Sequence, residues 1–195
     1  MKSLAMAMTV AVACAASGAL AWVPDPQAQS TLAGGGAWVQ VTAGADDTAS
    51  IHAAIDIAAP PKTVWTVMND CALASRLVTT MVVCKVVKSG PDHAWEIKEQ
   101  VTKGNLFVPT IHNLVRNDYQ PYSLIRFRKA GGDLRVEEGE WRLAPLAGGA
   151  GTRVLYTARL GANIVAPAAL VRQGMRRDTA KALVNLRRES LAAAR

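Results

Sequence analysis

Few residues in this chain have the type and spacing needed for covalent chemistry. The three histidines are His52, His93 and His112, and none stands at metal-ligand spacing from another histidine or a cysteine pair. No serine lies in a nucleophile-elbow motif. The sequence therefore assigns no catalytic residue, no metal ligand and no cofactor. One acid–base pair is conceivable: His112 sits within a strand-like run, and Glu99 falls among the apolar Trp95, Ile97 and Val101. A pocket histidine beside a pocket carboxylate could move the protons of an aldol-type cyclisation or a dehydration. The plainer reading is preferred, an exposed histidine and a surface or salt-bridged glutamate. A one-residue slip in facing would invert either strand. Glu137, Glu138 and Glu140 read as one solvated, charge-paired strand.

The remaining reactive groups are cysteines: Cys14, Cys71 and Cys84. Their meaning depends on the compartment, so the N-terminus comes next. Lys2 precedes an uncharged run over 4–16, too short for a hydrocarbon core that needs ~20 apolar residues. Ala19-Leu20-Ala21 is a small-x-small cleavage pattern. Residues 1–21 are therefore expected to be a signal peptide removed before Trp22, placing the protein in the periplasm or outside the cell. An uncleaved anchor and a lipobox on Cys14, after Ala11-Val12-Ala13, are the alternatives. Processing leaves Cys71 and Cys84, an even number in a compartment where disulfides persist. They form either a bridge over a short loop, worth ~3 kcal/mol in the chain-entropy model, or two buried thiols.

These groups must be positioned by the elements that follow. Residues 22–37 are rich in Pro, Gly, Ser and Gln and read as a flexible leader. Residues 38–41 and 50–57 alternate like strands, with Ile51, Ala53, Ile55 and Ile57 on one face. Pro60-Pro61 then opens a short helix carrying Val64, Trp65, Val67 and Met68, and 71–78 forms a second. Six strand-like runs follow, at 81–88, 93–103, 109–118, 123–129, 133–143 and 152–160, separated by Gly, Pro, Asn and Asp turn signals. Successive and hairpin-linked, they predict an antiparallel sheet. A long helix over 167–194 closes the chain. Leu170, Val171, Gly174, Met175, Leu183, Leu186 and Leu191 can share its apolar face; Arg172, Arg176, Arg177, Lys181, Arg187 and Arg188 lie around it.

A curved sheet crossed by one helix is filled only if large side chains close the gap. The chain has two Phe and 5% aromatic residues, so its interior is mostly Ala, Val and Leu, which allows either a cavity or tight packing. Strand alternation turns Phe127, Trp141 and Tyr156 inward, and Arg126, Arg128, Arg142, Arg153 and Arg159 outward.

The run Ala58 to Asp70, AAPPKTVWTVMND, resembles the opening motif of the START-like helix-grip superfamily, which includes polyketide cyclases and dehydratases and lipid-transfer domains. The segments GDLR (132–135), EGEWRL (138–143), GTRVLY (151–156) and the closing helix agree in order. The resemblance covers residues 38–195, giving a scheme of signal peptide 1–21, leader 22–37 and helix-grip domain 38–195. It implies an α+β fold in which a curved antiparallel sheet wraps a long C-terminal helix, with two short helices after the first strands. It also implies a tunnel for an apolar molecule, for which the predicted lining is Trp95, Ile97, Phe107, Ile125, Phe127, Trp141, Tyr156, Leu170 and Met175. Where the family often has an aromatic residue after the helix-ending Asp, this chain has Cys71. That departure suggests an exported branch whose Cys71–Cys84 bridge staples the helix pair to the sheet.

The expected function is binding, and carrying, of a hydrophobic small molecule or lipid. A cyclase or dehydratase using the same cavity is the alternative, and a domain without a ligand the third. The net charge of +7 makes transient contact of the last helix with an anionic membrane conceivable. Export speaks against nucleic acid, and a monomer is expected.

Overall fold

The computed structural model describes residues 22–104, 109–163 and 166–195. The predicted signal peptide with Cys14, and Phe107, lie outside the described residues. Eight strands form one antiparallel sheet in the order β1-β2-β8-β7-β6-β5-β4-β3. They are β1 (Trp38–Ala43), β2 (Ala49–Ile57), β3 (Met81–Ser89), β4 (Trp95–Thr102), β5 (Ile111–Gln120), β6 (Leu124–Gly132), β7 (Val136–Pro145) and β8 (Thr152–Gly161). All neighbours except β2 and β8 are consecutive in the chain. The β2–β8 pairing, from Ala49↔Leu160 to Ile57↔Thr152, brings the N-terminal hairpin against the end of the meander. Arg153 fixes it from the outside with two 2.7 Å hydrogen bonds to the Asp56 carboxylate.

Four α-helices among the described residues complete the fold: α1 (Pro26–Ala33), α2 (Pro61–Asn69), α3 (Ala74–Leu77) and α4 (Ala168–Ala193). Helix α1 corrects the expectation of a flexible leader. Pro26 supplies a ready-made first turn, the Asp25 carboxylate accepts from the Ala28 amide at 2.7 Å, and Ala28 and Leu32 are buried. The helix packs on β1 and β2, and Trp22 stacks on Trp38 with ring centroids 5.3 Å apart. Composition pointed to a linker because capping and burial at α1 depend on a surface the local sequence does not display.

The core forms where the inward residues of β2 and β8 meet α2 and α4. Ile51, Ile55, Ile57, Val154, Val64, Val67, Leu183 and Leu186 are buried there with Phe127 and Leu143. Burying each such aliphatic side chain is worth ~1.5–3 kcal/mol. Helix α4 lies against β1, β2, α2 and α3, so it covers one end of the sheet's inner face. Its apolar face is accordingly shorter than expected: Leu183 and Leu186 are buried, whereas Leu170 is 60% exposed and a Cβ at Gly174 would meet nothing within 4 Å. Arg187 and Arg188 are not free cations. Arg187 donates to the Gly35 carbonyl, and Arg188 bonds Glu189 and Asn185.

Candidate functional site

Where α4 leaves the sheet uncovered, a cavity of about 290 Å³ opens between the inner face of the sheet and helices α2, α3 and α4. Four of the predicted lining residues meet there: Ile125 and Phe127 from β6, Trp141 from β7 and Tyr156 from β8. Trp141 stacks on Tyr156 at 4.0 Å between centroids, and Phe127 flanks the same tyrosine at 6.0 Å. Val115, Met68, Leu77, Leu183 and Leu186 extend this apolar wall. The Cys71–Cys84 disulfide is formed and also lines the cavity, joining the turn after α2 to β3.

Four predicted residues lie elsewhere. Trp95 and Ile97 stand on the outer face of β4, opposite Asp118 and Arg116 of β5. The Arg116 guanidinium sits 4.2 Å from the centre of the Trp95 ring, a cation–π contact on the outside of the sheet. Met175 borders a separate cavity with Arg135, Asp47 and Arg172, and Leu170 is exposed on α4. The β4 error has a plain cause. Its outer face carries Trp95, Ile97 and Val101 with one glutamate, Glu99, and its inner face carries Glu96, Lys98 and Gln100, so alternation by hydrophobicity turns the strand over.

Of those inner polar groups Lys98 and Gln100 line the cavity, and Glu96 stands behind Lys98. Lys98, 5% exposed, donates from Nζ to the Asn69 carbonyl at 3.0 Å and lies 3.7 Å from Glu96. Burial lowers its pKa, with Glu96 and Asp70 acting in opposition. Glu96 in turn accepts from the Tyr119 hydroxyl at 3.1 Å, and burial together with that carboxylate pushes the Tyr119 phenol up. The helix-ending Asn69 of α2 and this β4 cluster are thus tied across the cavity rim.

Glu137 corrects a further expectation. It is not part of a solvated strand: it shares the inner face of β7 with Trp141 and Leu143 and lines the cavity. Its Oε2 is buried without a hydrogen-bond partner among the described residues. Burial raises its pKa from 4.5 to about 7, with Lys129 pulling the other way. Burial, then the nearby Glu137 charge, raises that of the Tyr156 phenol. Parity with Trp141 was the signal that could have found it. The other two glutamates do pair outside, Glu138 with Arg159 at 3.2 Å and Glu140 with Arg142. The conceivable acid–base pair is not assembled: His112 is exposed, and Glu99 bonds Lys85 at 3.0 Å on the outer side.

Similar solved structures share this architecture. A STAR-related lipid transfer protein from Xanthomonas axonopodis superposes with a TM-score of 0.67 at 15% identity, covering 80% of this chain and 93% of that one. Human STARD10 gives 0.67 at 13% identity, covering 87% and 81%. The Zhui aromatase/cyclase from Streptomyces sp. R1128 gives 0.58 at 15% identity, covering 75% and 93%. At such identities the likeness speaks to fold alone. A search of curated proteins found no match. The family model described as polyketide cyclase / dehydrase and lipid transport matches residues 57–187, a span that runs from the end of β2 into α4 and encloses the cavity. The chain belongs to that family.

Proposed function

We propose that this protein binds and carries a hydrophobic small molecule or lipid in the cavity between the sheet and α4, after export to the periplasm. The observation that carries this reading is the aromatic and aliphatic wall. Phe127, Trp141 and Tyr156 stand side by side over unfilled space, a surface that gains free energy when an apolar molecule replaces water. The volume of about 290 Å³ lies at the lower edge of the ~300–1,000 Å³ typical of small-molecule sites. It suits a single chain or a small ring system. Export is supported by the N-terminal pattern and by a disulfide that an oxidising compartment would preserve. Contact with an anionic membrane through Arg172, Arg176, Arg177 and Lys181 would suit loading from a bilayer by a monomer.

A second reading, a cyclase or dehydratase, is favoured by one observation: a carboxyl group with a pKa of about 7 faces the cavity beside a tyrosine. Native mass spectrometry of the purified protein, followed by lipid extraction, tests the carrier. A co-purifying hydrophobic molecule is the expected result. Empty protein that also binds no member of a lipid panel would sink it. Turnover of an added polyketide-like substrate, lost in Glu137→Gln, would favour the enzyme.

A further inference from the structure

Glu137 is half-buried, with its Oε2 shut off from solvent and unpaired among the described residues, and its neighbours define what could satisfy it. One residue from it the ladder pairs Glu138 with Arg128, so Lys129 stands beside Glu137 on β6. Val115 then pairs with Lys129, and Lys98 with Val115. Lys98 and Glu137 therefore occupy one row across four strands. Three inter-strand spacings of ~4.8 Å put their backbones about 14 Å apart. The cavity is bounded by a cation already engaged with Asn69 at one side and, at the other, a carboxyl whose buried Oε2 has no partner among the described residues. Val115 and Lys129 stand between them in the row, and the apolar wall of Phe127, Trp141 and Tyr156 lies alongside it.

We infer that the cavity selects an amphipathic ligand whose polar end is a neutral hydrogen-bond donor, a hydroxyl, given to Glu137 while the apolar body lies on Trp141, Tyr156 and Phe127. The inference rests on the cavity being a ligand site. A buried acceptor left unpaired costs ~1–3 kcal/mol, more when charged, and a donating ligand removes that cost. A neutral donor fits better than an ammonium, because Lys129 already supplies positive charge next to Glu137. The groups facing Glu137 are Lys129 from β6 and Tyr156 from β8, while α4 presents only the uncharged Ala182, Leu183 and Leu186 to the cavity. Across the row stands Lys98, with Asp70 at the rim.

The test compares decanol with its isomer nonyl methyl ether, which keeps the oxygen and loses the donor. Binding to the full-length processed protein is followed by calorimetry at about pH 5.5 and about pH 8.5, either side of a pKa of about 7. When neutral, Glu137 can donate to either oxygen, so the two probes differ little. As a carboxylate it can only accept, and the alcohol is expected to bind roughly tenfold more tightly than the ether. Glu137→Gln should flatten the pH dependence of that preference, and Glu137→Leu should erase the preference. The wild-type pH profile decides the matter even if a variant fails to fold. Equal affinities at both pH values, or a preference that survives in Glu137→Leu, overturn this inference alone. Failure of both probes to bind overturns it together with the ligand-site reading.

Discussion

The Trp141 indole lies on the Tyr156 ring at 4.0 Å between centroids with an interplanar angle of 25°. The two residues are direct partners across the β7–β8 ladder. The stack is therefore set by register, and it forms part of the apolar wall. Cross-strand aromatic pairs are worth ~0.5–1.5 kcal/mol beyond the area they bury. Trp141→Ala should lower stability by about 2 kcal/mol, less than the ~3–5 of a fully buried tryptophan. It should also weaken binding of a hydrophobic probe such as decanol roughly tenfold. Unchanged affinity in a folded variant would count against this wall as the ligand surface.

The raised pKa of Glu137 also acts on folding. In the folded chain it is about 7, against 4.5 ordinarily. Between these values the native state holds a proton that the unfolded state has released. Stability from this group is therefore complete below pH 4.5 and lost as pH rises through 7. Relative to Glu137→Gln, the wild type should weaken across that window and then hold a constant deficit. Urea titrations of both proteins at several pH values would measure it, and parallel curves would refute the buried, unpaired carboxyl.

Cys71 and Cys84 close a short loop, separated by 13 positions, between the turn after α2 and the edge strand β3. Reduction should cost about 3 kcal/mol by the loop-entropy estimate. It should also loosen the cavity rim that both cysteines line. Thermal melts with and without a reductant give the first quantity, and probe affinity under the same conditions the second. An unaltered melting temperature would mean that packing alone holds β3 to the helices.

Ser190 lies on α4 with its hydroxyl buried and without a partner among the described residues. Alanine removes that unpaired group and improves helix propensity, so Ser190→Ala should stabilise the protein by about 1 kcal/mol. A destabilised variant in chemical denaturation would reveal a hydrogen bond to this hydroxyl in solution.

Gly139 faces the cavity side of β7 between Phe127 and β8. A Cβ there would stand 2.1 Å from the Thr157 carbonyl oxygen and 2.7 Å from the Phe127 ring. The strand cannot retreat without breaking its pairs with Phe127 and Ala158. Gly139→Ala should cost at least about 2 kcal/mol, within the range of overpacked cores. A near-neutral effect in the same assay would mean that β7 is more yielding than its two-sided pairing indicates.

How much of this was legible beforehand varies element by element. Alternation located β3 to β8 closely, because a half-buried strand writes its facing into every second residue. It placed Phe127, Trp141 and Tyr156 inward because β6, β7 and β8 bury an apolar face. On β4 the same rule failed. Alternation reports polarity, whereas a cavity wall that holds Lys98 and Gln100 inverts the usual relation between polarity and facing.

By itself the sequence determined the order of elements, the antiparallel meander, the closing helix, the family resemblance and two cysteines that could bridge. Tertiary structure alone decided the rest. It paired β2 with β8 across about a hundred residues, folded α1 onto the first hairpin, and set Lys98 and Glu137 in one row three strands apart. The physical reason is range. Periodicity and turn chemistry act over a few neighbouring residues, whereas a cavity and the groups stranded in it exist only once distant strands share a sheet.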